Sequence, residues 1–555
     1  MAKLIRPWPL ACLMICGLVA LPTVTVLSSL FQPFGEEWNH LAETRLTDYI
    51  RNTAILGVAV CFFAALIGTA AAYLVGNHDF PGRGFFSWAL ILPLAVPGYI
   101  AAYAYTDLLE FSGPLQTWLR GTFGWGRRDY WFPQVRSLPG AVAILTFTLY
   151  PYVYLAARAA FVEQSRCVLE VGRTLDCGPW RSFFRIALPL ARPSIVAGTL
   201  LVMMETLADF GAVDYFAVDT FATGIYRTWR GLESPTTAAQ LATVLLSVVS
   251  LVLLVELLAR RRARYHQLSS GRAAVSRTKL GIVGSAAAIV VCGLPVLVGF
   301  IGPAAIFIFM AIDTGDGRAV EVVREYGSNT LVLSAIAAAI AVALSLIVVY
   351  SQRLVRTRTT LIAGKFAGLG YALPGPVIAI GLLAPLSWAD HKLNGLLTAG
   401  FDLQVGLVFT GSVFAVVMGY QTRFLAVALS MLETSFGRIK PSLDDAARTL
   451  GASNTGLMTR IHLPLLRASV FAAFLLVFVD VAKELPATLM LRPFNFDTLA
   501  VRVYQLASDE RLEEAAFGAL VIIGVGLIPV LVLSLLLDRH GRKAPAPPTD
   551  EVARV

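Results

Sequence analysis

Residues 170–192, EVGRTLDCGPWRSFFRIALPLAR, return 275 positions later as DAARTLGASNTGLMTRIHLPLLR over 445–467. Nine of the 23 aligned positions are identical, among them Arg173/Arg448, Leu175/Leu450, Arg185/Arg460, Leu188/Leu463 and Pro189/Pro464. The register continues into the apolar run behind each copy, where Glu205 aligns with Asp480 and Asp209 with Glu484. A shift held across a polar loop and the following run points to duplication of a whole unit.

Apolar runs surround both copies. They lie near 9–31, 52–76, 85–109, 138–162, 195–217 and 237–259, then near 280–312, 328–350, 360–388, 404–429, 468–490 and 514–537. Most exceed the ~18 residues that cross a bilayer core. The 555-residue chain is 57% hydrophobic and 15% charged, far below the roughly 25% charge of soluble domains. The fold expected is an all-α polytopic membrane protein with about twelve transmembrane helices in two tandem six-helix halves. The first half is residues 1–259, a basic linker runs over 260–279, the second half is 280–537, and a tail fills 538–555. The tail carries Ala544-Pro545-Ala546-Pro547-Pro548 and reads as disordered.

Charge orients the spans. The linker holds Arg260, Arg261, Arg262, Arg264, Arg272, Arg277 and Lys279 with no acid, as expected of a cytoplasmic loop. Counting outward puts Lys3 and Arg6, the loop with Arg353, Arg356 and Arg358, and the tail with Arg539, Arg542 and Lys543 on the same side. Glu36, Glu37, Glu43 and Asp48 then face outward, and so, against the rule, do Arg120, Arg127, Arg128 and Arg136. Both termini are expected inside. The net charge of +9 thus needs no nucleic acid to explain it. Lys3 and Arg6 before an apolar run imitate a signal peptide, but the run is long enough to span and no A-x-A site follows. It reads as a retained first helix. Cys12, Cys16, Cys61 and Cys292 sit in apolar runs and Cys167 and Cys177 in a basic loop, which argues against disulfides.

The chemistry-bearing residues are few. Gly364-Lys365 is the one Gly-Lys, followed by Phe366 and without the upstream glycine of a phosphate loop, so ATP must act through another subunit, or an ion gradient must drive the chain. No nucleophile–base constellation is found, and the six histidines are scattered without i,i+4 pairing; neither an enzyme, a cofactor nor a resident metal site is indicated. Glu205 and Asp209 fall four apart, hence on one helix face, and Asp480 and Glu484 repeat this with Lys483 beside them. Such groups at membrane depth face protein or water. They either line a cation pathway or hold helices together. Tyr99, Tyr103, Tyr105, Tyr150, Tyr152 and Tyr154 suit either an interfacial belt or contact with a hard cation. Pro97-Gly98 and Pro374-Gly375-Pro376 interrupt the third and ninth runs at corresponding places, as kinks or as walls of the route.

An acid, two small residues, a glycine six positions after the acid, an apolar position and then Leu-Pro resembles the EAA loop of ABC importer permeases. The second copy matches through Asp445, Ala446, Ala447, Gly451, Ile461, Leu463 and Pro464. The first matches through Glu170, Phe183, Ile186, Leu188 and Pro189, while Val171-Gly172 replace the two alanines and Asp176 takes the glycine place, leaving Gly178 as an alternative bend. Segments 205–229 and 480–504 are similar to the fused iron(III) permeases of bacterial ferric importers, and the likeness spans essentially the whole chain. Related permeases for thiamine, phosphonate, polyamine or sulfate share the architecture, and a proton-driven carrier remains a rival from another class.

The resemblance implies a type I ABC permease (MetI-like) fold in each half and a place in the bacterial inner membrane. It implies two copies of a cytoplasmic ATPase that grip the loops through Glu170, Arg173, Leu175, Gly178, Leu188 and Pro189, and through Asp445, Ala446, Ala447, Gly451, Leu463 and Pro464. A periplasmic substrate-binding protein would deliver the cargo. Glu205, Asp209, Asp480 and Glu484 are then the candidate lining of the path.

Overall fold

In hydrocarbon a chain must satisfy every backbone N–H and C=O internally, so apolar runs of this length become helices. The computed structural model describes residues 7–163, 179–262, 277–314, 317–355 and 357–542. Ten helices among these are long and apolar enough to cross a bilayer. Two bent pairs, Arg83–Ala95 with Gly98–Phe123 and Arg358–Ala372 with Gly375–Phe401, raise the number to twelve if each is one span. Counted so, the first six spans are Pro7–Phe31, Leu46–Asn77, the pair broken at Pro97, Leu138–Val162, Phe183–Ala208 and Pro235–Val255. The last six are Ile282–Asp313, Glu321–Leu354, the pair broken at Pro374, Val413–Gly437, Asn454–Ala482 and Leu512–Leu531. The protein is an all-α polytopic membrane protein; the described residues form one two-residue parallel pairing, His78–Asp79 with Thr278–Lys279, where the end of the linker meets the second span.

The two breaks have one cause. A residue before proline is pushed out of the helical region, and Val96 (ψ 110°) and Leu373 (ψ 125°) are extended accordingly. The prolines are extended as well, and each helix restarts at the following glycine, Gly98 or Gly375, turned by 91° and 119° from its first limb.

Duplication shows in details that the residue pattern alone does not carry. Asn52 and Asn329 donate through Nδ2 to the carbonyls of Asp219 and Asp497 (3.0 and 3.2 Å), and Thr53 and Thr330 accept through Oγ1 from Phe221 and Leu499 N–H groups (3.2 and 2.8 Å). Left-handed backbone recurs at Ala217 and Asn495, and at Glu233 and Glu510. A single π turn occupies Phe183–Ala187 and again Met458–His462. Pro189 and Pro464, residues that ordinarily break a helix, follow these turns directly, and the helix runs on through the wider turn, which relieves the clash of each proline with the preceding carbonyls.

The halves do not pack separately. The first span lies against the eighth and ninth, and the seventh lies against the second and third. Its approach to the ninth is close: a Cβ on Gly381 would sit 2.4 Å from the Pro22 carbonyl. Small residues permit such crossings in lipid, where dispersion replaces the hydrophobic drive. One core joins Leu56–Ala222 residues to Leu485–Val530 residues, a second joins Val26–Val249 residues to Leu333–Leu491 residues, and a third joins Cys12–Val19 residues to Val348–Leu466 residues. Cys12, Cys16, Cys61 and Cys292 are buried and free. Lys3, Arg6, Cys167, Cys177, most of the linker and the tail beyond Arg542 lie outside the described residues; the last helix itself runs to Arg542.

Candidate functional site

The fifth span ends at Ala208 and the eleventh at Ala482. Asp209 and Glu484 therefore stand beyond their helices, and the expectation of two acids on one helix face fails in both halves. Each acid turns to the short helix that follows. Asp209 Oδ1 accepts from the Ala212 and Val213 N–H groups at 3.1 and 3.2 Å, opening helix Gly211–Tyr215. Glu484 accepts from Ala487 N at 2.9 Å and Thr488 N at 3.0 Å, opening Pro486–Leu491. An acceptor at a helix start satisfies otherwise orphaned donors, and the pattern is the same in both copies of the repeat.

Glu205 and Asp480 remain in the last helical turns and face a cavity of about 140 Å³. The first break borders it through Pro97 and Gly98, and from the second half it is bordered by Tyr371, three residues before the second break, and by Leu485 and Pro486; Pro374, Gly375 and Pro376 do not line it. Asp480 pairs with Lys483 at 3.0 Å. Arg423, on the tenth span, reaches Glu205 at 3.7 Å and Glu484 at 3.9 Å. All four sequence-predicted acids thus line one cavity. Four carboxylates against Arg423 and Lys483 leave a formal net charge of −2 there.

Arg423 escaped the sequence reading, although an arginine inside the apolar run 404–429 is itself a signal, since its cost at membrane depth demands a partner. The tyrosines divide. Tyr99 and Tyr152 line the cavity, joined by Tyr371, whereas Tyr103, Tyr150 and Tyr154 are fully buried in the first core and Tyr105 donates to the Val298 carbonyl at 2.6 Å. A belt at the lipid boundary does not describe these positions. No group of three or more His, Cys, Asp or Glu residues among the described residues is placed to hold a metal ion, so the acids line the cavity without forming a ligand cage.

The second copy of the repeated loop is a helix, Pro441–Thr449, a bend and a second turn, Asn454–Leu457. Gly451 makes the bend at φ +83°, a conformation open to glycine at little cost. Asp445 and Ala446 are exposed, Ala447 is buried beneath them, and Leu450 is 88% exposed. Leu463 and Pro464 are exposed where the eleventh span emerges. Asp444, which the pattern had not singled out, anchors the helix: Arg353 donates to it through Nε at 2.6 Å and Nη2 at 3.1 Å, and His462 Nε2 lies 3.3 Å away. Arg353 also donates to the Phe436 and Ile439 carbonyls at 2.9 and 3.1 Å. In the first loop Glu170, Arg173, Leu175 and Gly178 lie outside the described residues; Leu188 is half-buried and Pro189 exposed.

A duplicated helical membrane fold, paired broken helices and a bent helical loop at the foot of a span describe a multi-pass membrane protein built from two like halves. Residues 64–264 match the family described as binding-protein-dependent transport system inner membrane component. The chain is 26% identical over 505 residues to an Fe(3+)-transport system permease, FbpB 2, of Haemophilus influenzae, covering 89% of this chain and 90% of that one. It is 25% identical over 516 residues to a probable ABC transporter permease, y4fN, of Sinorhizobium fredii (88% and 86% covered). The molybdenum permease ModB of Escherichia coli aligns at 28% over 230 residues, 39% of this chain and 96% of that one.

Proposed function

We propose that this chain is the membrane-spanning subunit of a bacterial importer for iron(III), with both permease halves on one polypeptide. The observation that carries the reading is the cavity between the halves: four carboxylates, two cationic side chains and three phenols. Carboxylate and phenolic oxygens suit hard cations, and a formally negative cavity opposes the entry of oxyanions such as molybdate or sulfate. The full-length likeness to an Fe(3+) permease supports the same cargo. Lining without caging suits passage, because a tight cage would trap the ion.

Energy enters from outside the chain. The loops at 170–192 and 445–467 are the docking elements for two copies of a cytoplasmic ATPase, and a periplasmic binding protein presents the ion at the opposite face. Both termini then lie in the cytoplasm. ATPase closure would move helix Pro441–Thr449, and the Arg353–Asp444 pair would pass that movement to the eighth span.

The test is uptake of radiolabelled iron(III) by iron-limited cells deleted for the chain, then restored with it, with and without the ATPase and with excess sulfate, molybdate or thiamine. Restoration that needs the ATPase and ignores all three competitors is the expected result. Competition by any of them would move the assignment to that cargo, and restoration without the ATPase that collapses with the proton gradient would make the chain a secondary carrier.

A further inference from the structure

The acids of the cavity obey the 275-residue register and the cations do not. Glu205 aligns with Asp480 and Asp209 with Glu484, whereas Arg423 and Lys483 stand opposite Thr148 and Ala208. Thr148 and Ala208 both line the same cavity, so the comparison is made at equivalent places in space. Both cations therefore come from the second half. Lys483 is taken up within its own turn by Asp480 at 3.0 Å. The cation that reaches Glu205 comes from across the joint, and it is Arg423 at 3.7 Å.

The manner of that contact is unusual. Arg423 is only 9% exposed, yet its contacts of 3.7 and 3.9 Å to Glu205 and Glu484 exceed the roughly 2.7–3.2 Å of an N–H···O hydrogen bond. Its Nε has no hydrogen-bond partner, although buried guanidinium donors are ordinarily satisfied. The Phe424 ring flanks it at 5.6 Å. The guanidinium is suspended by charge between a carboxylate of each half, close enough to neutralise them and bonded loosely enough to leave.

We propose that Arg423 is a latch: an internal counter-cation that joins the halves across the closed cavity and that a cargo cation displaces from Glu205. This rests on the cation-route reading. A cation arriving at Glu205 takes over the charge that Arg423 supplied, which frees the tenth span from the fifth as the halves separate. An oxyanion would be drawn to Arg423 and would leave the Glu205 contact without a replacement cation, so the same residue discriminates between cargo classes.

The experiment uses proteoliposomes holding the full chain with its ATPase and no nucleotide. Passive entry of Mn²⁺, read by a trapped fluorescent chelator, is measured beside entry of radiolabelled sulfate. Arg423→Gln is expected to raise Mn²⁺ entry by about tenfold or more, as loss of one partner of a buried pair would, with sulfate entry unchanged and Arg423→Lys close to wild type. Wild-type tightness of correctly inserted Arg423→Gln would overturn the latch and leave the iron reading intact. An equal leak of both ions would keep the latch and contradict the cation route. Should Arg423→Gln fail to insert, the exchange of Glu205→Arg with Arg423→Glu, made together with Glu484→Gln so that no second carboxylate faces position 423, decides: it preserves the pair and is expected to stay tight, and a leak would contradict the latch.

Discussion

Asp209 accepts two backbone N–H groups at 3.1 and 3.2 Å, while Glu205, one helical turn earlier, faces Arg423 at 3.7 Å. Neighbouring acids in one motif thus do different work, and their substitutions should separate. Asp209→Ala leaves the start of helix Gly211–Tyr215 uncapped, a loss of about 1 kcal/mol, and should lower the thermal unfolding midpoint in detergent. Glu205→Gln, which leaves Arg423 beside Glu484, should lower that midpoint less and reduce uptake more. The converse pattern would exchange the two roles. Gly451 separates geometry from packing in the same way. A Cβ there meets nothing within 4 Å, so only the φ of +83° resists substitution, by roughly 1–2 kcal/mol for an ordinary side chain and less for Asp, which tolerates the left-handed region. Gly451→Val should therefore weaken co-purification of the ATPase, and Gly451→Asp should weaken it less. Equal effects of Val and Asp would remove the bend from the account.

Among elements, helix Pro441–Thr449 depends on one buried ion pair. Asp444 and Arg353 side chains are 9% and 16% exposed, and removing one partner of such a pair leaves a charge uncompensated at a cost of about 3 kcal/mol. Asp444→Ala should release the coupling helix, so that ATPase activity in the assembled transporter no longer drives uptake; Asp444→Asn, which keeps an acceptor, should recover part of it. Full transport by Asp444→Ala would make the pair incidental. Length and hydropathy made the twelve runs legible, and Pro97-Gly98 and Pro374-Gly375 marked the two breaks. Periodicity could not show that Asp209 and Glu484 leave the helix, because apolar residues continue on either side and only Gly211 and Pro486 hint at a new start. The π turns before Pro189 and Pro464 change the local winding by a single residue and leave no mark in hydropathy. Asp444 was hidden by its neighbour, since the register aligns Asp445 with Glu170 and sets Asp444 against Leu169.

Across the whole molecule, the two halves are interleaved rather than abutted, with the first and seventh spans each lying on the opposite half. Tyr504 donates to Asp214 at 2.7 Å from one half to the other, and Arg227 lies 3.3 Å from the same carboxylate. Although burial opposes it, the Asp214 and Asp219 carboxylates hold the Arg227 pKa above its ordinary value, so the carboxylate that Tyr504 reaches from the second half stays paired with a charged Arg227 inside the first. The proposed orientation, with the linker in the cytoplasm, has its own test. In a background lacking Cys167 and Cys177, a cysteine at the exposed Trp131 should react with an impermeant maleimide in intact spheroplasts, and one at Leu450 only after permeabilisation. Labelling in the reverse order would invert the topology.

The central claim is that the cavity between the broken helices is the cation route and that ATPase action opens it. Its most direct test is ATP-driven entry of radiolabelled iron(III) into proteoliposomes containing the chain, the ATPase and the binding protein, comparing wild type with Glu205→Gln combined with Asp480→Asn. The account predicts that the double variant inserts, binds the ATPase and hydrolyses ATP, yet carries iron(III) at under about a tenth of the wild-type rate, the scale of losing two charge interactions in a low-dielectric site. Wild-type iron entry by a correctly assembled double variant would contradict it and move the route elsewhere.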